Sequence, residues 1–291
     1  MAVPPLSTGD LLGRCTFPPA GTDVVCAVSG GADSLALLVL AVAAGCRATA
    51  VHVDHGLRAG SAAEAEVVQA AADRFGAGFR SERVSVEPGP NLEARARAAR
   101  YGVLPAGVLT GHTADDQAET ILLNLLRGAG LDGLAGMAPE QHPVLGLRRS
   151  ETRGLCTGLG LTWVEDPTNA DPQFRRNRVR AELLPLLDAI AARDVVPVLV
   201  RQAGVLRSEA ELLDALAGEL DPTDAKVLAT APVALARRAI RRWLTTDHPP
   251  DLASVDRVLA VARGEAVAAE VGEGRRVARS RGRLRLEPFP P

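Results

Sequence analysis

Asp23-Val24-Val25-Cys26-Ala27-Val28, Ser29-Gly30-Gly31-Ala32-Asp33-Ser34 and Leu35-Ala36-Leu37-Leu38-Val39-Leu40-Ala41-Val42-Ala43-Ala44 follow one another without a break. The first run is short, apolar and β-rich, and reads as a buried strand. The last is an apolar helix pattern stopped by Gly45. A strand, a glycine turn and a helix N-terminus in that order build an anion pocket. Backbone N–H groups at the helix start point outward, and the helix dipole favours negative charge there. Ser29 and Ser34 add hydroxyls, while Gly30, Gly31 and Ala32 keep the backbone approachable. Asp33 is the odd member, because a carboxylate repels phosphate. It makes sense if Mg²⁺ lies between the two.

The loop is also informative for what it lacks. A GxxxxGK[ST] loop needs a lysine on the phosphates, and Lys226, far downstream, is the chain's only lysine. There is no GxGxxG either. The hexapeptide matches SGGxDS and resembles the loop of the PP-loop ATP pyrophosphatases. That resemblance implies cleavage of ATP between its α- and β-phosphates and adenylation of a substrate. The plain alternative is a serine-capped glycine turn in an α/β domain.

The chain has 291 residues, enough for one large α/β domain and a smaller one. Aromatic residues are only 3%, so nucleic-acid contacts would have to use arginine rather than stacking. A net charge of −2 confines such contacts to local patches. Cys15, Cys26, Cys46 and Cys156 form no CxxC pair, which argues against a zinc site or a redox dithiol. No leader-like N-terminus is present, and the longest apolar run is too short to span a bilayer. A soluble, cytoplasmic protein with no membrane partner is expected.

The first half alternates strand and helix patterns. Ala48 to His55 is a second strand, and Ser61 with Glu64 reads as a capping box opening a helix that ends at Gly76. Phe79 to Val86 is a third strand, Asn91 to Tyr101 a helix, and Val108 to Thr110 a short buried strand before His112. A helix then runs to about Arg127, and Pro143 to Leu147 reads as a fifth strand. This βαβ repetition predicts a parallel sheet with helices on both faces, binding ligands beyond the strand C-termini. Residues 29–34, 52–58 and 111–119 all fall on that edge. From about residue 190 the pattern changes to helices at 194–218, 233–245 and 251–263, then β-like pieces at 266–271 and 275–287. The expected division is 1–190 for the catalytic domain and 191–291 for a small, mostly helical one.

His112 and Asp116 stand four residues apart at the start of a predicted helix, so imidazole and carboxylate share a face and could serve one substrate. The competing reading is helix capping and dipole compensation.

Here the resemblance becomes more specific. The chain is similar to the bacterial tRNA(Ile)-lysidine synthetases in SGGADS at 29–34, HVDHGLR at 52–58, and Glu93, Arg97, Arg100 and Tyr101. GHTADDQAETILLNLLRGAG at 111–130, GLAGM at 133–137, and WVEDPTN with RRNRVR at 163–180 extend the match. The resemblance implies a PP-loop (adenine-nucleotide alpha-hydrolase-like, Rossmann-like) α/β domain and a two-step ligase. ATP would adenylate the C2 oxygen of the wobble cytidine in a CAU-anticodon tRNA(Ile). The amine of free L-lysine would then displace AMP to give lysidine, changing codon specificity from AUG to AUA.

In that scheme Asp33 holds Mg²⁺, Arg97 clamps phosphate charge, and His112 or Asp116 takes the amine's proton. His52, His55, Arg58, Asp166, Asn169, Arg175 and Arg178 would lie on the substrate or tRNA side. Bland alternatives stand beside these: a solvated helix face for Arg97, and turn chemistry for Asp166 and Asn169. The chain's length implies that a further C-terminal domain of longer relatives is absent. Assembly is left open, with a homodimer as one arrangement.

Competing readings fit less well. A tRNA thiolase would need catalytic or cluster-binding cysteines. A small-molecule amidating synthetase would leave the arginine strips unexplained, and a nucleotide sensor would not need Asp33, His112 and Asp116 on one edge. One such strip is Arg279-Ser280-Arg281-Gly282-Arg283-Leu284-Arg285-Leu286. As a single strand it would align its arginines on one face, with Leu284 and Leu286 facing the core. It would serve as a tRNA-tracking surface through Arg279 and Arg281, or as a charged protective edge.

Overall fold

The computed structural model describes residues 8–54, 61–84, 95, 99, 102–165, 171–246 and 248–288. They form two compact units, 1–204 and 205–291. The first unit is built on the parallel strands β1 (Asp23–Ala27), β2 (Arg47–Asp54), β3 (Gly78–Arg83) and β4 (Leu109–Thr110), in the order β3-β2-β1-β4.

Side-chain alternation explains why β1 and β2 are central. Val24, Cys26, Ala48 and Ala50 lie in the main core, while Val25, Ala27, Val51 and Val53 pack with Leu104 and Val108 in a second cluster. The main core is dominated by α2 (Ala32–Ala43), whose Leu35, Leu37, Leu38 and Leu40 are fully buried. A helix apolar on every side suits this place between the sheet and its neighbours. Short α1 (Thr8–Leu12) adds Leu11, and α3 (Ser61–Phe75) adds Val68, Ala71 and Ala72.

The strand order carries the functional consequence. From β1 the chain steps outward to β2 and β3, then returns to the opposite side of β1 as β4. The direction reverses between β1 and β4, where the loops after both strands leave the same edge. After β4 the chain forms α4 (Ala114–Leu126), α5 (Leu131–Leu134), a 3₁₀ turn (Pro139–Gln141) and α6 (Arg149–Gly158). Pro143 to Leu147, expected as a strand, is a series of tight turns. Val144 and Leu147 are buried there, but the backbone bonds locally, Leu145 N–H to His142 and Leu147 N–H to Val144. Apolarity without room for a ladder gave the wrong period. The third strand covers Gly78–Arg83, with Val84 outside it, and residues 85 and 86 of the expected strand lie outside the described residues. The predicted helix at 91–101 lies almost wholly outside the described residues.

Beyond α7 (Arg175–Arg178), a π-helical turn (Val179–Leu183) leads into α8 (Leu184–Ala191) and α9 (Val196–Gly218). The unit division falls inside α9, later than the compositional change near residue 190. The second unit contains α10 (Ala225–Thr230), α11 (Val233–Leu244) and α12 (Leu252–Arg263), with the antiparallel sheet β5 (Ala268–Gly272), β6 (Arg275–Ser280) and β7 (Arg283–Pro288). Leu228, Ile240, Leu244, Val258, Val277 and Leu284 form its core. Asp224 and Asp251 cap α10 and α12 by accepting first-turn N–H groups. No described helix is long and apolar enough to cross a membrane.

The arginine strip differs from the single strand expected of it. It is two strands, because Arg281, with φ 50°, and Gly282 form the turn between β6 and β7. Leu284 is buried, but Leu286 is partly exposed.

The β1–β4 junction depends on one absent side chain. A Cβ on Gly111 would lie 2.6 Å from the carbonyl oxygen of Asp33 and 2.9 Å from the amide nitrogen of Ser34. Gly111→Ala is therefore expected to cost about 1–3 kcal/mol of stability, as overpacking against backbone does. Denaturant titration of the two proteins measures it.

Candidate active site

The loop between β1 and α2 is shaped by its own serines. Gly30 has φ 86°, a value that suits glycine, and its carbonyl accepts the N–H of Val164 at 2.9 Å. Ser34 Oγ donates to the Gly31 carbonyl at 2.8 Å and accepts the Ser29 N–H at 3.2 Å. With that hydroxyl proton engaged, the 3.3 Å contact between Ser29 and Ser34 has Ser29 Oγ as donor. Gly31 is the N-cap of α2 in extended conformation, and no side chain caps that end. The first turn is left to an incoming anion.

Asp33 stands in this first turn. Its Oδ1 accepts the hydroxyl of Thr152 on α6, and Arg149 Nε lies 3.5 Å from its Oδ2. Burial raises the Asp33 carboxyl above the usual carboxylate range, and the nearby Asp116 adds to the rise. Thr152, Arg149 and Arg153 oppose it without cancelling it.

Arg149 joins this loop to α4. Its Nη2 donates to Asp116 Oδ1 at 2.9 Å and reaches Glu119 Oε1 at 3.3 Å. Glu119 is fully buried yet bound by three arginines, the others being Arg176 Nε at 2.7 Å and Arg180 Nε at 2.7 Å. Asp116 also closes a capping box with the N-cap Thr113, accepting its N–H and hydroxyl at 2.9 Å each. Burial would raise the Asp116 carboxyl. Arg149, Arg176, the Thr113 N–H and His112 together outweigh burial and hold it below the usual range. Next to it, Asp115 is bound through both oxygens by Arg148, which also pairs with Asp194. Asp116 therefore caps its helix and faces the arginine cluster at once.

His112 leaves β4 two residues after Thr110, and its Nδ1 lies 2.6 Å from Thr110 Oγ1. His142 approaches the same hydroxyl. At the end of β2, His52 is almost fully buried, its Nδ1 donating to the Val28 carbonyl at 3.0 Å, and its Nε2 has no partner among the described residues.

The structure thus brings Ser29, Gly30, Gly31, Ala32, Asp33, Ser34, His112 and Asp116 to one sheet edge, beside His52. Arg175 and Arg178 lie on α7, where Arg178 pairs with Glu182 at 2.8 Å. In the second unit Arg279 donates to the Ala262 carbonyl at 2.9 Å, near the C-terminus of α12, while Arg281 occupies the exposed hairpin turn. His55, Arg58, Arg97, Asp166 and Asn169 lie outside the described residues.

Sequence reasoning passed over Thr152, Arg149, Arg176, Arg180, Glu119 and His142. Glu119, Arg176 and Arg180 lay within the matched stretches at 111–130 and 163–180, and Glu119 also stood out as an acid between Ala118 and Ile121 on the apolar face of α4. The cysteines offer no nucleophile. Burial pushes Cys15 up to about 11 and Cys26 and Cys156 up to about 12, so these remain thiols at neutral pH.

Among the described residues no three acidic, imidazole or thiol side chains come together to hold a metal ion. Asp33, with Asp116 nearby, suits a Mg²⁺ that arrives with phosphates, since that ion commonly takes one or two carboxylates and fills its shell with phosphate oxygens and water.

A glycine-serine anion loop at the reversal point of a parallel sheet, with an acid in its first helical turn, is the arrangement of a PP-loop ATP-using domain. The chain matches the PP-loop domain family over residues 12–187. It is 45% identical over 93% of its length to a tRNA(Ile)-lysidine synthase of Nocardia farcinica, covering 93% of that protein. Against the tRNA(Ile)-lysidine synthase of Rhodococcus erythropolis it is 44% identical over 90% of its length and 89% of the relative. A U34-tRNA thiolase from Methanococcus maripaludis shares the fold, with a TM-score of 0.56 at 16% identity over 69% of this chain and 78% of the other. The chain belongs to the tRNA(Ile)-lysidine synthase family, whose members are ligases.

The two aspartates have opposite effects on stability. Asp33 has a raised folded-state pKa, so its ionised form is disfavoured by folding at neutral pH. Asp33→Asn is expected to leave the protein at least as stable as the parent there. Asp116 has a depressed one, so its charge stabilises the fold above the unfolded carboxylate range near ~3.9, and this is lost as pH falls through the folded value. Asp116→Asn is expected to cost about 1–3 kcal/mol at neutral pH and to blunt the parent's loss of stability below about pH 4. Urea titrations across that range measure both.

Proposed function

We propose that this protein adenylates the C2 oxygen of the wobble cytidine in tRNA(Ile) with a CAU anticodon, and joins L-lysine there to form lysidine. In this reading the modified tRNA decodes AUA instead of AUG, and the enzyme works in the cytoplasm. The observation that carries it is the meeting of an anion loop with the Asp33, Asp116 and His112 side chains at one sheet edge, in a chain 45% identical to a tRNA(Ile)-lysidine synthase.

The residues divide the work by chemistry. The amides and hydroxyls of Ser29 to Ser34 receive the phosphates of ATP. Asp33 would hold Mg²⁺, which when bound neutralises charge on the leaving pyrophosphate. Arg97 is assigned the cationic clamp. The attacking ammonium must lose a proton, and of the two candidates His112 is the better acceptor. Asp116 already receives hydrogen bonds from Arg149 and Thr113, and a depressed pKa makes it a weak base. It is better suited to binding a cationic amine. His52, His55, Arg58, Asp166 and Asn169 are placed on the substrate side. Arg175, Arg178, Arg279 and Arg281 contact tRNA, and the 191–291 region serves tRNA recognition.

The direct test is mass analysis of nucleosides after incubation with ATP, lysine and a CAU-anticodon tRNA. Lysidine and stoichiometric pyrophosphate are expected; ATP turnover without a modified nucleoside would overturn the reading. Asp33→Asn should lose most turnover while staying folded.

The tRNA surface has its own test. Arg281→Gln, in an exposed turn, should weaken tRNA binding and flatten its log–log salt dependence by roughly one unit for each phosphate the variant no longer neutralises. An unchanged salt slope would return the hairpin to a purely structural role.

A further inference from the structure

Thr110 Oγ1 stands between two imidazoles. His112 Nδ1 lies 2.6 Å from it and His142 Nδ1 2.5 Å, while the two nitrogens are 3.2 Å apart. The rings meet edge to face, with centroids 4.7 Å apart and an interplanar angle of 86°. Thr110 is the last residue of β4 and is buried, so the hydroxyl is held by the sheet. His142 comes from a different segment, directly after the 3₁₀ turn at Pro139–Gln141.

A hydroxyl has one proton to give and two lone pairs to receive. The Gln141 carbonyl, at 3.5 Å, competes weakly for that proton. Thr110 therefore donates to one Nδ1 and accepts N–H from the other. When both rings are neutral they must be opposite tautomers. Exchanging those tautomers moves one proton onto the hydroxyl oxygen and another off it. That is the connectivity of a relay, and a purely structural tie between the two segments would need only one of the two rings.

We propose that Thr110 and His142 are positioning residues that carry away the proton His112 removes from the attacking amine; this rests on the reading of His112 as base. In the competent state His112 bears its proton on Nδ1 and His142 on Nε2. The lysine ammonium gives a proton to His112 Nε2, and the amine so freed bonds to C2 of the adenylated cytidine. The Nδ1 proton of His112 passes to Thr110 Oγ1, and the hydroxyl proton of Thr110 passes to His142 Nδ1. His142 then releases its Nε2 proton to water, and AMP leaves with the electrons of the C2–O bond. Both rings end neutral with exchanged tautomers; they reset when His112 Nε2 gives its proton to water, His142 Nε2 takes one from water, and the two transfers through Thr110 run in reverse. Beside the relay stands Asp116 of α4, with Arg149 of α6 and Arg176 of α7 bound to it.

The test compares Thr110→Val, Thr110→Ser and His142→Gln with the parent, reading lysidine transfer against tRNA-dependent ATP–pyrophosphate exchange. Exchange reports adenylation, which needs no proton from the amine. Thr110→Val and His142→Gln should lower the ratio of transfer to exchange by about 10- to 100-fold, within the usual contribution of general-base catalysis. Thr110→Ser, which keeps the hydroxyl, should restore it. The defect should narrow as pH approaches the lysine amine pKa near ~10.4, where the nucleophile is already deprotonated. Thr110→Val with a parental ratio would overturn the relay. So would equal losses in Thr110→Val and Thr110→Ser, or a defect constant with pH. A parent that makes no lysidine would instead bring down the proposed function, and the relay with it.

Discussion

The guanidinium of Arg149 is the contact on which the site depends. It reaches Asp33 on α2 and Asp116 and Glu119 on α4, three carboxylates delivered by two elements that leave different strands. Without a cation between them, those carboxylates would repel one another in a poorly solvated place. Arg149 can sit there because α6 packs Leu155 and Cys156 into the same core as α2, and because Arg148, beside it, is anchored to Asp115 and Asp194. The packing of apolar residues fixes the helix, and the helix fixes the charge.

This arrangement gives two acids of the same type different characters. Asp33 is pushed toward neutrality by burial, and Asp116 is kept ionised by its arginines and its helix cap. In the proposed reaction, a site that handles both phosphates and an amine would gain from that division. Under that proposal, the acid that folding disfavours would meet a metal-bound phosphate, and the acid held charged would meet an ammonium.

Much of this was legible in the chain. The step from Asp23 through Ser34 to Ala44 reads as strand, turn and helix because each segment has its own period and Gly30 marks the positive φ. The convergence on one edge followed from βαβ repetition alone. What stayed hidden depends on distance. Nothing local to Arg149, Arg176 or Arg180 marks them as partners of one buried glutamate, and His142 meets Thr110 only because a turn-rich segment folds back on β4. Pro143 to Leu147 misled because its apolar residues are buried through turns. The run from Arg279 to Leu286 misled for the opposite reason: its alternation was real, but Arg281-Gly282 broke it into two strands.

The π turn at Val179–Leu183 changes how this part of the chain counts residues. Val179 and Leu184 are both buried in one cluster with Ala118 and Leu122, although they are five positions apart. In an ordinary α-helix a five-residue step turns through about 140°, which would carry one of them out of that cluster. The wide turn absorbs a single surplus residue, so Arg176 ahead of it, Arg180 within it and the leucines behind it each keep their own partners. A relative one residue shorter at this point would keep Arg176 against its glutamate while α8 swung by about 100°. The gap in such an alignment would mark a change in what α8 packs against, with the charged cluster left as it is.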